Sequence, residues 1–308
     1  MNRISGIEVF FVILLSVEFI IGNIGNVFIA LVNIMDWVKG RKISSVSQIL
    51  TPLAISRIAV LVSLFLSMLA SVLQPNLLMA VNLLRMINIF CAVTNHFNIW
   101  LTTCLSVFYF LKIANFSNSI FIYLKWRVGK VVLVIMLVSL VLLFFNMVLK
   151  NTGVDAWDGG MQRNMSSCSS WNTSQIFSTI FYTKYMLTNY MVICVPLSLS
   201  LSAFLLLLFS PWKHLKKMQH NTRDASTRAH IQALKTVFAC LLLYILFFLS
   251  FCIHVTVFQF LDRQLVILFS LTLGMTFPSL HSCVIILGDS KLRQSSLLLL
   301  SWLRCRSP

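Results

Sequence analysis

Asn88, Asn95, Thr102, Ser106 and Tyr109 recur at intervals of seven, seven, four and three inside one long apolar run. Such intervals put side chains on one face of an α-helix. Amides and hydroxyls there can bind a polar ligand or hold a neighbouring helix, but they supply no nucleophile paired with a base. A polar group surrounded by hydrocarbon is costly, so the face must meet other helices or a wet cavity. Asn95, with His96 beside it, lies short of the middle of the run, where it can line a pocket. The other reading is interhelical hydrogen bonding worth about 0.6 kcal/mol per contact. That reading suits Thr102 and Ser106 better.

Arg57, in LAISRIAVL, is the basic residue deepest within an apolar run, and no Asp or Glu lies at matching depth in another inner half-span. A buried ion pair is therefore not expected. Asn26, in GNIGNVF, is the candidate partner through its amide oxygen, with Arg57 pinning spans one, two and seven. Contact with an external ligand is the lesser alternative. Pro196 and Pro278 each remove a backbone hydrogen bond and should kink their helices. His281 and Ser282 follow the second proline by about one turn, and a satisfied interhelical hydrogen bond for His281 is favoured over a proton site. The chain carries no HExxH, GxSxG or Walker A motif and no paired intramembrane aspartates. His214, His220 and His230 are spaced for no metal site. The expectation is no enzyme, metal or cofactor.

The elements that position these residues follow from composition. Of 308 residues 58% are hydrophobic and 10% charged, against about 45–50% and about 25% in soluble domains. Apolar runs cover about 7–35, 47–73, 83–111, 128–149, 181–209, 233–258 and 265–287, each long enough to cross a bilayer as helix. The expected fold is an all-α membrane protein, a single seven-transmembrane-helix domain with a short tail at 288–308. The first run is too long for a cleavable signal and lacks a basic lead. The tail segment SSLLLLSWL is too short to span and is expected in the interface. Six of the eight cysteines fall within apolar runs, where Cys behaves as a small hydrophobe. Cys168 lies in a loop, and Cys305 is a palmitoylation candidate.

The net charge of +16 reflects topology rather than nucleic-acid binding. Seventeen basic residues fall in one set of connections, from Lys39 and Lys112 through the Lys213–Lys235 loop to the tail; five fall in the other set. The positive-inside rule puts the N-terminus outside and the C-terminus inside. Sequons at Asn164 and Asn172 then lie outside, whereas the one at Asn115 lies on the basic side, where no glycan is added.

The run HFNIWLTTCLSVFYFLKIANFSNSIFIYLKWRV, His96 to Val128, resembles the signature of the type 2 taste receptors, the bitter receptors. GNIGNVFIALVNIMDWVKGRKISSVSQILTPLAISRI, SLSLSAFLLLLFSPWKHLKKMQ and HSCVIILGDSKLRQ extend the resemblance over nearly every span. It implies a G-protein-coupled receptor of the plasma membrane for bitter small-molecule agonists, coupled to a gustducin-like heterotrimeric G protein, phospholipase C and calcium. The family's deep arginine and first-helix asparagine match Arg57 and Asn26, and its glycosylation asparagine matches Asn164. The pocket it implies involves Asn95, Phe247 as the sixth-helix aromatic switch and Leu271 on the seventh helix. Cys91 stands where many members have tryptophan, and Asp289 where Asn is usual.

On this reading Ser106, Tyr109 and the FYFLKIA end of the third helix face the coupling side, with Lys112, Lys213, His214, Lys216 and Lys217 beside the G protein. Contact with anionic membrane lipid is the alternative for those basic residues. A vomeronasal type 1 receptor should lack FYFLKIA and KHLKKMQ. A small transporter should show inverted repeats with broken helices, and no such repeat is visible.

Overall fold

The computed structural model describes residues 6–41, 44–73, 81–114, 116–166, 193–207, 235–236, 238–249, 252 and 263–306. Among them are nine helices: α1 (Gly6–Val38), α2 (Ser45–Leu73), α3 (Val81–Ile113), α4 (Ser119–Trp126), α5 (Val128–Ser166), α6 (Ile193–Leu207), α7 (Phe238–Leu249), α8 (Arg263–Gly288) and α9 (Ser290–Arg306). α1, α2, α3, α5 and α8 run through the apolar stretches numbered one, two, three, four and seven. α6 and α7 occupy parts of the fifth and sixth.

Among the described residues, four helical stretches are long and apolar enough to cross a membrane: α1, Ser45–Leu69 of α2, Val128–Val148 of α5 and Leu265–Gly288 of α8. α3 has 33 residues, about 50 Å at 1.5 Å per residue, and its polar stripe lowers its hydropathy. α5 continues to Ser166, well past the apolar limit at 149. Hydropathy marks where hydrocarbon would end, whereas the backbone ladder needs no apolar side chains to continue.

The bundle is inside-out relative to a soluble protein. Ile13, Val17, Ile20 and Ile24 of α1 and Leu137, Val141 and Phe144 of α5 face outward, while Asn26, Arg57, Ser63, Thr103, Ser139 and Ser282 are buried. That arrangement suits a hydrocarbon solvent, in which polar groups find partners only inside the protein.

The most extensive helix pairings are α2 with α3, α1 with α8 and α1 with α2. Small residues let α1 and α8 approach closely, as in membrane helix pairs generally. Gly22 faces Ser279 and Leu61, and a Cβ on Gly25 would lie 2.7 Å from Ser282 Oγ. α8 carries Pro278 inside it and α2 carries Pro52. The Pro278 carbonyl accepts a hydrogen bond from Asn26 Nδ2 at 3.3 Å.

Two short helices finish one end of the bundle. Asn118 caps α4, its Oδ1 accepting from Ile120 N at 2.8 Å, while Lys125 Nζ donates to the Ala114 carbonyl. Asp289 caps α9 by accepting from Leu292 N at 3.0 Å. Lys291 then ties α9 to α1, donating to Asn33 Oδ1 at 3.0 Å and pairing with Asp36 Oδ2 at 2.6 Å.

Candidate functional site

α3 is the polar hub of the bundle. Its polar side chains reach three other helices: Thr94 to Ser63 of α2, Asn98 and Thr102 to Arg57 of α2, His96 to the Ser139 carbonyl of α5, and Thr103 to α6. Thr103 donates to the Pro196 carbonyl at 3.1 Å and accepts from Ser200 at 2.8 Å. Pro196 thus anchors α6 to α3 through its carbonyl. Ser106 donates back to the Thr102 carbonyl at 2.9 Å.

Arg57 is fully buried. Its Nε donates to Asn98 Oδ1 and one terminal nitrogen to Thr102 Oγ1, both at 3.4 Å, and its guanidinium lies 5.7 Å from the Phe277 ring centroid. Arg57 therefore ties α2 to α3 and α8, which corrects the expectation that Asn26 receives it. Asn26 has turned its amide nitrogen to the Gly22 carbonyl at 2.7 Å and to Pro278. Its Oδ1 is buried without a hydrogen-bond partner among the described residues.

Toward the Asn95 end, the ligand-pocket residues expected from the sequence divide. Asn95 and Cys91 are partly exposed on α3. His96 is buried and turned to α5, its Nε2 2.9 Å from the Ser139 carbonyl. Phe247 is only 8% exposed and packs with Ile99, Leu197, Tyr244 and Phe277. Ile99 lies one turn from Asn95, so Phe247 forms a packed layer beyond it. Leu271 packs against Leu15, Leu61, Met68 and Met275 of α1, α2 and α8. It stands apart from the Phe247 layer because that face of α8 is covered by α1 and α2.

The other end of the stripe opens into a cleft of about 560 Å³, counting its open mouth. Thr102, Ser106 and Tyr109 of α3 line it with Phe204 of α6, Cys240 of α7, His281 and Ile285 of α8, and Asp289 between α8 and α9. His281 lies against Phe277, centroids 5.1 Å apart and ring planes tilted by 34°, and its Nδ1 is buried without a partner among the described residues. The expected satisfied hydrogen bond is thus replaced by ring packing and a place on the cleft wall. Ser282 is buried, donates to the Ser279 carbonyl at 2.7 Å and faces Gly25. Lys112 is exposed one turn beyond Phe108, its Nζ 6.0 Å from that ring centroid.

Lys213, His214, Lys216, Lys217, Asn115, Asn172 and Cys168 lie outside the described residues. Asn164 lies in the helical backbone near the end of α5.

Three residues of this site escaped the sequence reading. Asn98 sits one turn before Thr102, a spacing that marked it. Phe277 bridges Phe247 and Arg57, with centroids 5.3 Å from Phe247, and a lone Phe in an apolar run gives no signal. Glu18 is an acidic side chain within α1 whose Oε1 accepts from Thr276 at 2.8 Å; an acid inside a span was signal enough.

The arrangement is a polar core joining a partly exposed amide at one end to a cleft at the other, suited to relaying a packing change rather than to covalent chemistry. The model of the family described as taste receptor protein (TAS2R) matches residues 3–304. Taste receptor type 2 member 125 of Rattus norvegicus is 51% identical over 310 residues, covering 100% of this chain and 97% of that protein. Taste receptor type 2 member 14 of Homo sapiens is 53% identical over 301 residues, covering 97% of this chain and 93% of that protein. With an all-helical membrane bundle of this kind and a match across nearly its whole length, the chain belongs to the taste receptor type 2 family, membrane receptors with the seven-helix G-protein-coupled-receptor fold.

Proposed function

We propose that this receptor detects bitter small molecules from outside the plasma membrane and activates a gustducin-like heterotrimeric G protein, which drives phospholipase C and calcium release. The observation that carries this reading is the cleft between α3, α7 and α8, with Tyr109 and Asp289 on its wall, in a chain of the type 2 taste family. Charge distribution supports an outside N-terminus and an inside C-terminus, which makes the cleft cytoplasmic.

Agonist entering from outside meets Asn95 and Cys91. It can act only through different affinity for two states of the bundle. Ile99, Phe247, Phe277 and Arg57 form a continuous packed route from that level to the cleft. A change in this layer widens the cleft for the C-terminal helix of the G protein, and the basic residues Lys112, Lys213, His214, Lys216 and Lys217 of the same connections are the proposed contacts for it. Glycans on Asn164 and Asn172 belong to the outer face, and the outward-facing leucines and phenylalanines contact membrane lipid.

A calcium assay in cells carrying a gustducin-like chimera, screened against a bitter library, tests the proposal. It predicts saturable responses to some compounds, each lost without the chimera. A surface-expressed receptor silent to the entire library, or responses that persist without the chimera, would refute it.

A further inference from the structure

Arg57 carries a fully buried positive charge. A guanidinium stays protonated and offers five N–H donors. The acceptors it meets, Asn98 Oδ1 and Thr102 Oγ1, are neutral and 3.4 Å away. Ion pairs among the described residues involve Asp36 at the far end of α1, with Arg41 and Lys291. Within the apolar runs the acidic residues are Glu8, at the start of the first, and Glu18, whose Oε1 is engaged by Thr276.

A group bonded to Arg57 keeps a donor to spare. Asn98 already presents its oxygen to Arg57, and its Nδ2 is buried without a partner among the described residues. His281 Nδ1 is buried in the same condition. Phe277 holds these groups together, its ring 5.7 Å from the guanidinium and 5.1 Å from the imidazole. Thr102 and His281 line the cleft, with Arg57 and Asn98 behind them, each one hydrogen bond from Thr102. A buried charge without a counter-charge is expensive, and the shell is too apolar to welcome a multivalent ion.

We propose that Arg57, Asn98 and His281 form a binding site for a small inorganic monovalent anion, chloride in the cell, reached through the cleft. Arg57 supplies the charge, Asn98 Nδ2 donates, and His281 donates in its Nδ1–H tautomer. The bound ion joins α2, α3 and α8 and thereby stabilises the folded bundle by mass action.

The test is thermal unfolding of the purified full-length receptor in detergent, with chloride replaced by gluconate at fixed ionic strength. Tm should rise saturably by about 2–4 °C as chloride reaches about 150 mM, and bromide should substitute. Asn98→Asp places a carboxylate against the guanidinium and should abolish the chloride-dependent rise. His281→Phe keeps the ring contact with Phe277 but removes Nδ1, and should move the chloride midpoint upward several-fold. Identical Tm in chloride and gluconate for the natural sequence overturns the site, and needs no variant to fold. An undiminished chloride shift in folded Asn98→Asp places the ion elsewhere, and an unchanged midpoint in His281→Phe removes the histidine from the proposal.

Discussion

Arg57 of α2 and Asn98 of α3 share a buried hydrogen bond, Nε to Oδ1 at 3.4 Å, in a bundle whose outer surface is hydrocarbon-like. The pair fixes α2 to α3, the helix that carries both ends of the proposed signalling route. Because Arg57 also reaches Thr102 and Phe277, its loss removes contacts with two helices together.

Arg57→Ala should therefore destabilise the receptor by about 2–4 kcal/mol, combining lost interhelical hydrogen bonds with a large cavity. Arg57→Lys should recover part of this, since an ammonium cannot reproduce the planar fork. Thermal unfolding in detergent, with surface expression alongside, reads both. An alanine variant as stable as the parent would show that the buried guanidinium holds nothing together.

The α1–α8 contact gives a second, independent prediction. A Cβ on Gly25 would sit 2.7 Å from Ser282 Oγ and 3.3 Å from its Cβ. Gly25→Ala should cost about 1–3 kcal/mol by overpacking, and adding Ser282→Ala should recover a portion by removing the nearer atom. Equal losses with and without the serine would mean that the strain lies elsewhere.

Asp289 occupies a position where the resembling sequences usually carry Asn, and its structural task explains the exchange. Its Oδ1 caps α9 through Leu292 N, and Asp and Asn serve as N-caps about equally well. Asp289→Asn should leave the stability of α9 nearly unchanged, while Asp289→Ala should cost about 0.5–2 kcal/mol. Hydrogen exchange along Ser290–Arg306 distinguishes the two, and equal protection in both variants contradicts the cap.

At the opposite end, Asn95 is the proposed agonist contact. Asn95→Ala should raise the half-maximal concentration of agonists about 3–10-fold, the worth of one lost hydrogen bond, with surface expression maintained. Unchanged potency for every agonist would move the pocket away from α3.

The seven apolar runs, the polar stripe on α3 and the depth of Arg57 were legible because hydropathy and helical spacing are properties of the chain itself. Partner choice was not. Asn26 and Asn98 both lie within reach by depth, and only the packing of α1 against α8, set by Gly22, Gly25 and two serines, turns the Asn26 amide nitrogen to Pro278 and leaves Arg57 to α3. Leu271 and Phe247 show the same limit. Both read as apolar pocket candidates, yet one packs toward α1 and α2 and the other toward Phe277. In a membrane helix the lipid-facing and helix-facing positions are both apolar, so side-chain direction leaves little periodic signature. The continuation of α5 to Ser166 was hidden for a different reason: its last turns are polar.

The central claim is agonist-driven G-protein activation through the cleft lined by Tyr109, His281 and Asp289. It is tested most directly by guanine-nucleotide exchange on a purified gustducin-like heterotrimer added to membranes containing this receptor. An agonist found by the calcium screen should accelerate exchange in a dose-dependent way, and receptor-free membranes should show no response. Agonist binding that leaves exchange at its basal rate, or that instead produces a current or solute flux without the G protein, would contradict the account.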